Sequence, residues 1–446
     1  MRGTGRSVSA GARRGLATLA LAGLVLAAGA ALPGCGKGAR TSHRAPKVVV
    51  LGIDGFDWNI VDPLVAKGRM PVLAKLLAEG TRADLLTLVP LEKSPVIWTT
   101  IATGHLPERQ GRGFLIESGP DSARAYTAWN RTTRAFWNIL PEHGFTVAVL
   151  GWLETWPAER IGGEIVSDYV QYDVSEAEKQ RHRTYPESLY AAVGPLVVYP
   201  KDIADARLAA LLGEPVSPDE TDETIVRSLR DLSWILAGDL TFTAIAREFL
   251  ASRPEDVVAV YLRGPDAVCH QFWGDRENRK KGEPSRRTRM FGETVDRYYE
   301  ETDRSVGQIL EKVDLSRTTL FLISDHGFQG GRRAVDGSTQ SGIWMHRELG
   351  TILVVGPGAA GKGVVASGAR VVDVLPTLLH FLGLPVGQDM DGEPARWLLS
   401  RAGGADRAVR TIPTYETGAK PDIPHDIDSA VDEQIKERVK SLGYVE

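Results

Sequence analysis

Three aspartates and three histidines of this 446-residue chain stand where short apolar runs begin or end. Thr318 to Ile323 is followed by Ser324-Asp325-His326-Gly327, and Lys47 to Ile53 stops at Asp54-Gly55. Val257 to Leu262 leads into Pro265-Asp266 and then His270, while His346 stands just ahead of the run Thr351 to Val355. Carboxylate and imidazole together are the hard and borderline ligands that zinc accepts, and manganese less selectively. Split into two trios, the six would hold two divalent ions roughly 4 Å apart. Ser94-Pro95 reads as a helix start, with Ser94 as N-cap and Pro95 as first helical residue. A helix amino terminus attracts phosphate, and a serine there, held by a metal, can ionise and attack phosphorus. Lys93, beside that serine, is the one basic residue the sequence puts next to it, a candidate phosphate contact as well as a surface charge.

Such scattered groups can meet only if the elements carrying them belong to one sheet. Continuous runs of Val, Ile and Leu fit strands buried on both faces of a parallel sheet, and open α/β sheets place ligands at the carboxyl ends of their strands. Further strands are expected at Ala83–Val89 and Phe145–Gly151. Helical spacing covers Ile60–Glu79 with a break at Pro71, Arg134–Glu142, Glu223–Ser252, Gly292–Lys312 and Val371–Leu382. The pattern loosens between Leu115 and Arg253, where Trp129, Trp137, Trp152, Trp156, Tyr169 and Tyr172 gather. Much of that interval reads as an insertion, or cap, over the sheet; its aromatics suit a core and also a wall against which a second ester substituent could rest. Arg276 to Arg289 reads as a solvated basic loop. Cys269, between two candidate ligands, reads as a packed thiol.

With 43% hydrophobic residues and a formal net charge of −4, the chain can bury a large core, and no nucleic-acid polymer is expected as a partner. Its 47 glycines are scattered as α/β loops require, without a repeat. Arg2, Arg6, Arg13 and Arg14 precede the apolar stretch Leu16–Leu32, and Pro33-Gly34-Cys35 follows, the order of an export signal. Leu32-Pro33-Gly34-Cys35 resembles a bacterial lipoprotein cleavage box, with Cys35 as the lipidated residue; an uncleaved membrane anchor is the alternative. The expected organisation is a signal over 1–35, a tether over 36–46, a catalytic domain over 47–400 with its insertion at about 115–253, and a tail over 401–446. The tail carries an amphipathic helix near Ile427–Leu442. The expected location is the bacterial periplasm or cell envelope, lipid-anchored to a membrane. Cys269 is then left without a disulfide partner.

The motifs, taken in order, resemble the alkaline phosphatase superfamily, and within it the type I phosphodiesterase and nucleotide pyrophosphatase branch. The matching text is Val-Val-Val-Leu-Gly-Ile-Asp54-Gly, Lys93-Ser94-Pro95 running to Ala102-Thr103-Gly104, Pro265-Asp266 with His270, Ser324-Asp325-His326-Gly327, and His346 ahead of Gly356-Pro357-Gly358. Val372 to Leu379 and Asp391-Gly392 look like the family's closing helix and loop. The resemblance implies a three-layer sandwich around a largely parallel sheet. It implies that Asp54, Ser94, Asp325 and His326 surround one metal, and Asp266, His270 and His346 the other. It also implies hydrolysis of a phosphate ester, small or on a lipid or glycan headgroup, through phosphoserine at Ser94. The chain departs from the pattern in carrying Ser94 where nucleotide pyrophosphatases usually carry threonine, and in lacking an asparagine between Gly111 and Ser118. Ser94-Pro95-Val96-Ile97 also lacks the sulfatase modification signal. Alternatives are a phosphotransferase acting on lipid or glycan headgroups and a metal-binding lipoprotein without catalysis.

Overall fold

All six residues of β1 (Val48–Ile53), all six of β6 (Val257–Leu262) and all five of β7 (Thr319–Ile323) are buried, as a strand covered on both faces must be. The structure, a computed structural model, describes residues 47–110, 127–172, 181–253, 255–282, 285–330, 343–366, 368–418 and 422–424. The remaining strands of the sheet are β2 (Thr81–Leu86), β3 (Val147–Leu150), β4 (Glu164–Val166), β5 (Thr184–Tyr185), β10 (Leu349–Val355), β11 (Val364–Val365) and β12 (Ala369–Arg370). A separate hairpin joins β8 (Gly327–Phe328) to β9 (His346–Arg347). The ten-stranded sheet runs β11-β2-β10-β7-β1-β6-β3-β4-β5, with β12 also on β2. Its centre, β7-β1-β6-β3-β4, is parallel throughout, so the carboxyl ends of five adjacent strands share one edge.

Among the described residues, eleven α-helices accompany the sheet: α1 (Trp58–Ala66), α2 (Pro71–Glu79), α3 (Ser94–Thr103), α4 (Phe136–Glu142), α5 (Tyr190–Val193), α6 (Asp205–Ala209), α7 (Glu223–Ser252), α8 (Gly264–Lys280), α9 (Arg286–Phe291), α10 (Thr294–Leu310) and α11 (Val374–Phe381). Strand alternation sends Val49, Leu51 and Ile53 into a core with α1, α2, α7, α8 and α10, and Val48 and Val50 into another with α3, α4 and α11. The result is the expected three-layer α/β sandwich around a largely parallel sheet. Truncating a fully buried side chain of the central strands, as in Leu322→Ala, should cost about 2–5 kcal/mol.

Two expectations need correction. The basic stretch Arg276–Arg289 is not a loop: it closes α8, turns, and opens α9. Its arginines meet acids that the sequence could not place, with Arg276 Nε 2.8 Å from Asp296, Arg287 Nε 3.1 Å from Asp275 and Arg289 Nε 2.8 Å from Glu214. Ser94 is the first helical residue of α3, and Lys93 holds the N-cap position without a capping side-chain bond. The described residues of 115–253 form the expected helix- and aromatic-rich insertion, and they also give β3, β4 and β5 to the sheet and α7 to one face. What stands apart is an aromatic cluster of Trp156, Tyr169 and Tyr172, with Trp129 and Trp234 packed against it. Cys35, the stretch Leu16–Leu32, the tether and the helix expected near Ile427–Leu442 lie outside the described residues.

Candidate active site

Asp54 is the first residue past β1, and Gly55 then turns the chain with φ +62°. A Cβ on Gly55 would lie 2.8 Å from Asp266 Cβ, so the turn lets α8 approach β1 closely. Asp266 N donates to Asp54 O at 3.1 Å, fastening the first turn of α8 to the end of β1. His270 follows Asp266 by four residues on α8, so both side chains share a helix face and stand 3.3 Å apart. Asp325 and His326 bridge β7 to β8, and His346 starts β9, so the hairpin brings His326 and His346 into ring stacking at 3.6 Å between centroids.

All seven candidate ligands are buried, and they converge. His326 Nε2 lies 3.3 Å from Asp325 Oδ2, 3.4 Å from Asp54 Oδ1 and 3.8 Å from Asp266 Oδ1. His346 Nε2 lies 3.5 Å from Asp266 Oδ1 and 2.9 Å from His270 Nε2. Two groups therefore have metal-holding geometry among the described residues: Asp54, Asp325 and His326, and Asp266, His326 and His346, with His270 beside the second. His326 belongs to both, a sharing that sequence alone did not show. Ser94 Oγ donates to Asp54 Oδ1 at 3.3 Å and stands 3.1 Å from His326 Nε2. Lys93 is half-buried at the start of the same helix.

The electrostatics suit a bound cation. His326 Nδ1 faces the Gly327 carbonyl at 3.0 Å, so Nδ1 must carry a proton, and in the neutral ring Nε2 keeps its lone pair for the cluster. Burial disfavours the imidazolium of His326, yet Asp325, Asp54 and Asp266 outweigh it and push the pKa up to about 10. Burial, with Asp54 close by, raises Asp325 well above the usual carboxylate range, while His346, stacked on His326, is lowered to about 3 by burial and by His326. Asp325 Oδ2 and His346 Nδ1 accept or donate no hydrogen bond in this surrounding. Three carboxylates meet around one imidazole, so the cluster is short of positive charge. Divalent ions would supply that charge and give the open Asp325 oxygen a partner, so the residues fit a two-metal set.

Four supporting residues escaped the sequence reading. Tyr261, on the neighbouring strand β6, donates its hydroxyl to Asp54 Oδ2. Ser324 Oγ accepts from Phe56 N at 2.8 Å and donates to His326 O at 2.9 Å, tying the β1 turn to the β7 turn. Asp57 accepts from Asn59 N at 2.8 Å as the α1 N-cap, from Phe328 N at 2.9 Å, and from the fork of Arg347 at 2.6 and 3.0 Å. That fork clamps the hairpin bearing His326 and His346 against the turn after Asp54. Tyr261 left a signal, a hydroxyl near the end of an otherwise aliphatic strand; Asp57 and Arg347, 290 residues apart, left none.

The chain is 32% identical over 166 residues to 2,3-bisphosphoglycerate-independent phosphoglycerate mutase of Synechococcus sp. (strain JA-3-3Ab), covering 35% of this chain and 27% of the relative. It is 25% identical over 183 residues to the same enzyme of Roseobacter denitrificans, covering 41% of this chain and 32% of that one. The match thus spans under a third of the curated relatives' length. Murine ectonucleotide pyrophosphatase/phosphodiesterase 5, an inactive variant in complex with AMP, superposes with a TM-score of 0.45 at 12% identity, covering 80% of this chain and 100% of that one. The family model for type I phosphodiesterase / nucleotide pyrophosphatase matches residues 48–355, the segment that holds β1, α3, α8, both histidine-bearing turns and β10. The chain belongs to the type I phosphodiesterase / nucleotide pyrophosphatase family, and its two Asp/His clusters are consistent with a two-metal hydrolytic site.

Proposed function

We propose that the protein is an exported, lipid-anchored, metal-dependent hydrolase of phosphate esters that works through phosphoserine at Ser94. The observation that carries this reading is the aim of Ser94: buried at the start of α3, it caps no helix and instead meets Asp54 and His326. Asp54, Asp325 and His326 would hold one divalent ion, and Asp266, His270 and His346 the other, with His326 near both. Zinc suits this donor set, and manganese less selectively. Such ions supply charge neutralisation on phosphoryl oxygens and a lowered pKa for a hydroxyl or water.

The chain's own groups do the rest. Ser94 Oγ forms the bond to phosphorus as the bond from phosphorus to the leaving ester oxygen breaks, and the hydroxyl proton moves toward Asp54 Oδ1. Water then cleaves the phosphoserine from the opposite side, restoring the Ser94 hydroxyl. Tyr261 holds Asp54 Oδ2, so Oδ1 stays turned to Ser94. The Arg347–Asp57 clamp keeps the hairpin histidines in place.

Ser94→Ala should lower kcat by about 10³-fold or more while metal content and melting temperature stay near wild type. Retention of a tenth of wild-type kcat would remove the nucleophile assignment. A second reading draws on the phosphoglycerate mutases, whose names denote phosphoryl movement: the phosphoserine passes to an alcohol on a lipid or glycan headgroup. An added alcohol acceptor decides between the two, since a transferase yields the new ester and a hydrolase yields phosphate. For location, Cys35→Ser should release the protein from membranes into the soluble exported fraction. Retention on the membrane, with Leu16–Leu32 still attached, would make that stretch the anchor.

A further inference from the structure

Beyond Asp54 and Asp266, the same edge of the sheet carries a cation that the proposed chemistry does not use. Arg263 follows β6 directly, next to the site: Asp54 N donates to Leu262 O at 2.9 Å, and Tyr261, two residues earlier, donates to Asp54. Its guanidinium lies among Tyr261, Tyr172 and Asp168, and Nη1 donates to Tyr172 Oη at 3.3 Å. That is its one side-chain hydrogen bond, out of five N–H donors, and no carboxylate among the described residues comes within ion-pair distance. Arg131, Arg276 and Arg347 each have a carboxylate partner, whereas the buried Arg183 donates instead to the Val170 and Tyr172 carbonyls. Arg263 as a residue is partly open to solvent.

Past Arg263 the edge becomes aromatic. Tyr172 meets Tyr169 at 5.0 Å between centroids, Tyr169 stacks on Trp156 at 5.0 Å and 6°, and Trp234 meets Tyr172 at 5.0 Å. This edge thus carries two metal-ligand clusters, a guanidinium without an ion-paired carboxylate, and a buried cluster of aromatic rings joined to it through Tyr172.

We infer that Arg263 is a specificity-determining residue, which binds an acidic group carried by the substrate on the part of the ester remote from the scissile phosphorus, with the Tyr172–Tyr169–Trp156 row bordering the body that bears it. A guanidinium presents paired N–H donors that match a carboxylate or a second phosphate, and partial burial strengthens the pairing. The favoured substrates are then phosphate esters with a second anionic group rather than neutral alkyl or aryl esters. The inference rests on the phosphate-ester reading above, and the two fail separately. Turnover of a neutral chromogenic phosphodiester tests that reading, whereas the test here measures binding of compounds with no ester bond.

Benzylphosphonate and its 3- and 4-carboxy derivatives are titrated calorimetrically into the zinc-loaded full chain. The better carboxy isomer should bind at least tenfold more tightly than benzylphosphonate. Arg263→Gln should bring that ratio to within about twofold of unity while leaving benzylphosphonate affinity within about threefold of wild type. Arg263→Lys, which keeps the charge, should retain a ratio of threefold or more. Each ratio is taken within one protein, so a loss of active fraction cancels. A wild-type ratio near one, a Gln variant that keeps the ratio, a Gln variant that weakens all three ligands equally, or no binding of any of them would overturn the assignment.

Discussion

One sheet edge buries carboxylates in two places, and the two places treat them differently. At the ends of β7 and β1, Asp325 and Asp54 face each other and His326, and Asp325 Oδ2 has no hydrogen-bond partner. At the ends of β3 and β4 and on α7, Glu154, Asp168 and Asp239 are just as buried; Asp168 and Asp239 meet several hydrogen-bond donors, while Glu154 Oε1 has none. Asp239 accepts from Arg263 N at 3.1 Å, Gly264 N at 3.2 Å and Tyr298 Oη at 3.0 Å. Asp168 accepts from Glu154 N at 3.2 Å and from Thr155 Oγ1 at 3.3 Å. Thr99 Oγ1 stands 2.9 Å from Pro95 O and 3.0 Å from Glu154 Oε2; its one proton goes to the carbonyl when Glu154 carries its own. Burial indeed raises Glu154 well above the carboxylate range, and Asp168 and Asp239 to about 7. The acids by β3, β4 and α7 can solve burial with a proton. The acids by β1 and β7 hold an arrangement that an added cation completes, and that difference separates a supporting network from a reactive one.

The same chemical edit, carboxylate to amide, should therefore have unequal consequences. Asp325→Asn removes a charge that a metal needs, and metal content should fall from two ions per chain toward one, with kcat/KM down by about 10³-fold, or about 4 kcal/mol of transition-state stabilisation. Elemental analysis of the purified variant beside its kinetics gives the answer. Full metal content with wild-type turnover would place the reactive region elsewhere.

A smaller loss is expected one step away from the ligands. Arg347→Met leaves every ligand in place but frees the hairpin that carries His326 and His346 from Asp57. Zinc affinity should weaken by about 10–100-fold, the usual effect of removing a group that orients a ligand. With saturating zinc, kcat should recover to within about threefold of wild type. Loss that zinc cannot rescue would mean that Arg347 does more than hold the hairpin.

How far this contrast was legible in the sequence depends on how each group is partnered. Asp54, Asp266, Asp325 and His326 were visible because each follows an apolar run, and the parallel register of β1, β6 and β7 assembles them. Ser94 was visible through the proline beside it, although the sequence assigned it a capping role and α3 gives it a helical one. Glu154, Asp168, Asp239 and Arg263 were not read as a group, because nothing in local spacing announces a carboxylate that meets backbone N–H groups from other strands and helices. The basic stretch Arg276–Arg289 misled for the same reason. Its charges pair with Asp275, with Asp296 on α10 and with Glu214 in the loop after α6, partners that local spacing does not reveal. Periodicity reports what an element does with its own neighbours; long-range polar pairing is outside its reach.

The smallest effect tests the proton directly. The Asp239 carboxyl ionises near 3.8 when free and at about 7 in the native protein, chiefly through burial, against which Tyr298, Gly264 and Arg263 pull only partly. Between those values the native state holds a proton that the unfolded chain has released, so this group's contribution to stability falls as pH rises from about 4 to 7. Asparagine resembles the protonated acid in shape and keeps an oxygen for the Arg263 and Gly264 N–H groups, but it cannot ionise. Asp239→Asn should gain stability relative to wild type as pH rises from 5.5 to 7.5, by on the order of 1–2 kcal/mol. Urea unfolding of both proteins at the two pH values, under the same free zinc, measures the difference, and metal-linked changes common to both cancel. A difference that stays flat with pH would show that Asp239 is ionised throughout, and the α7 carboxylate would then join those of β1 and β7 as a buried charge.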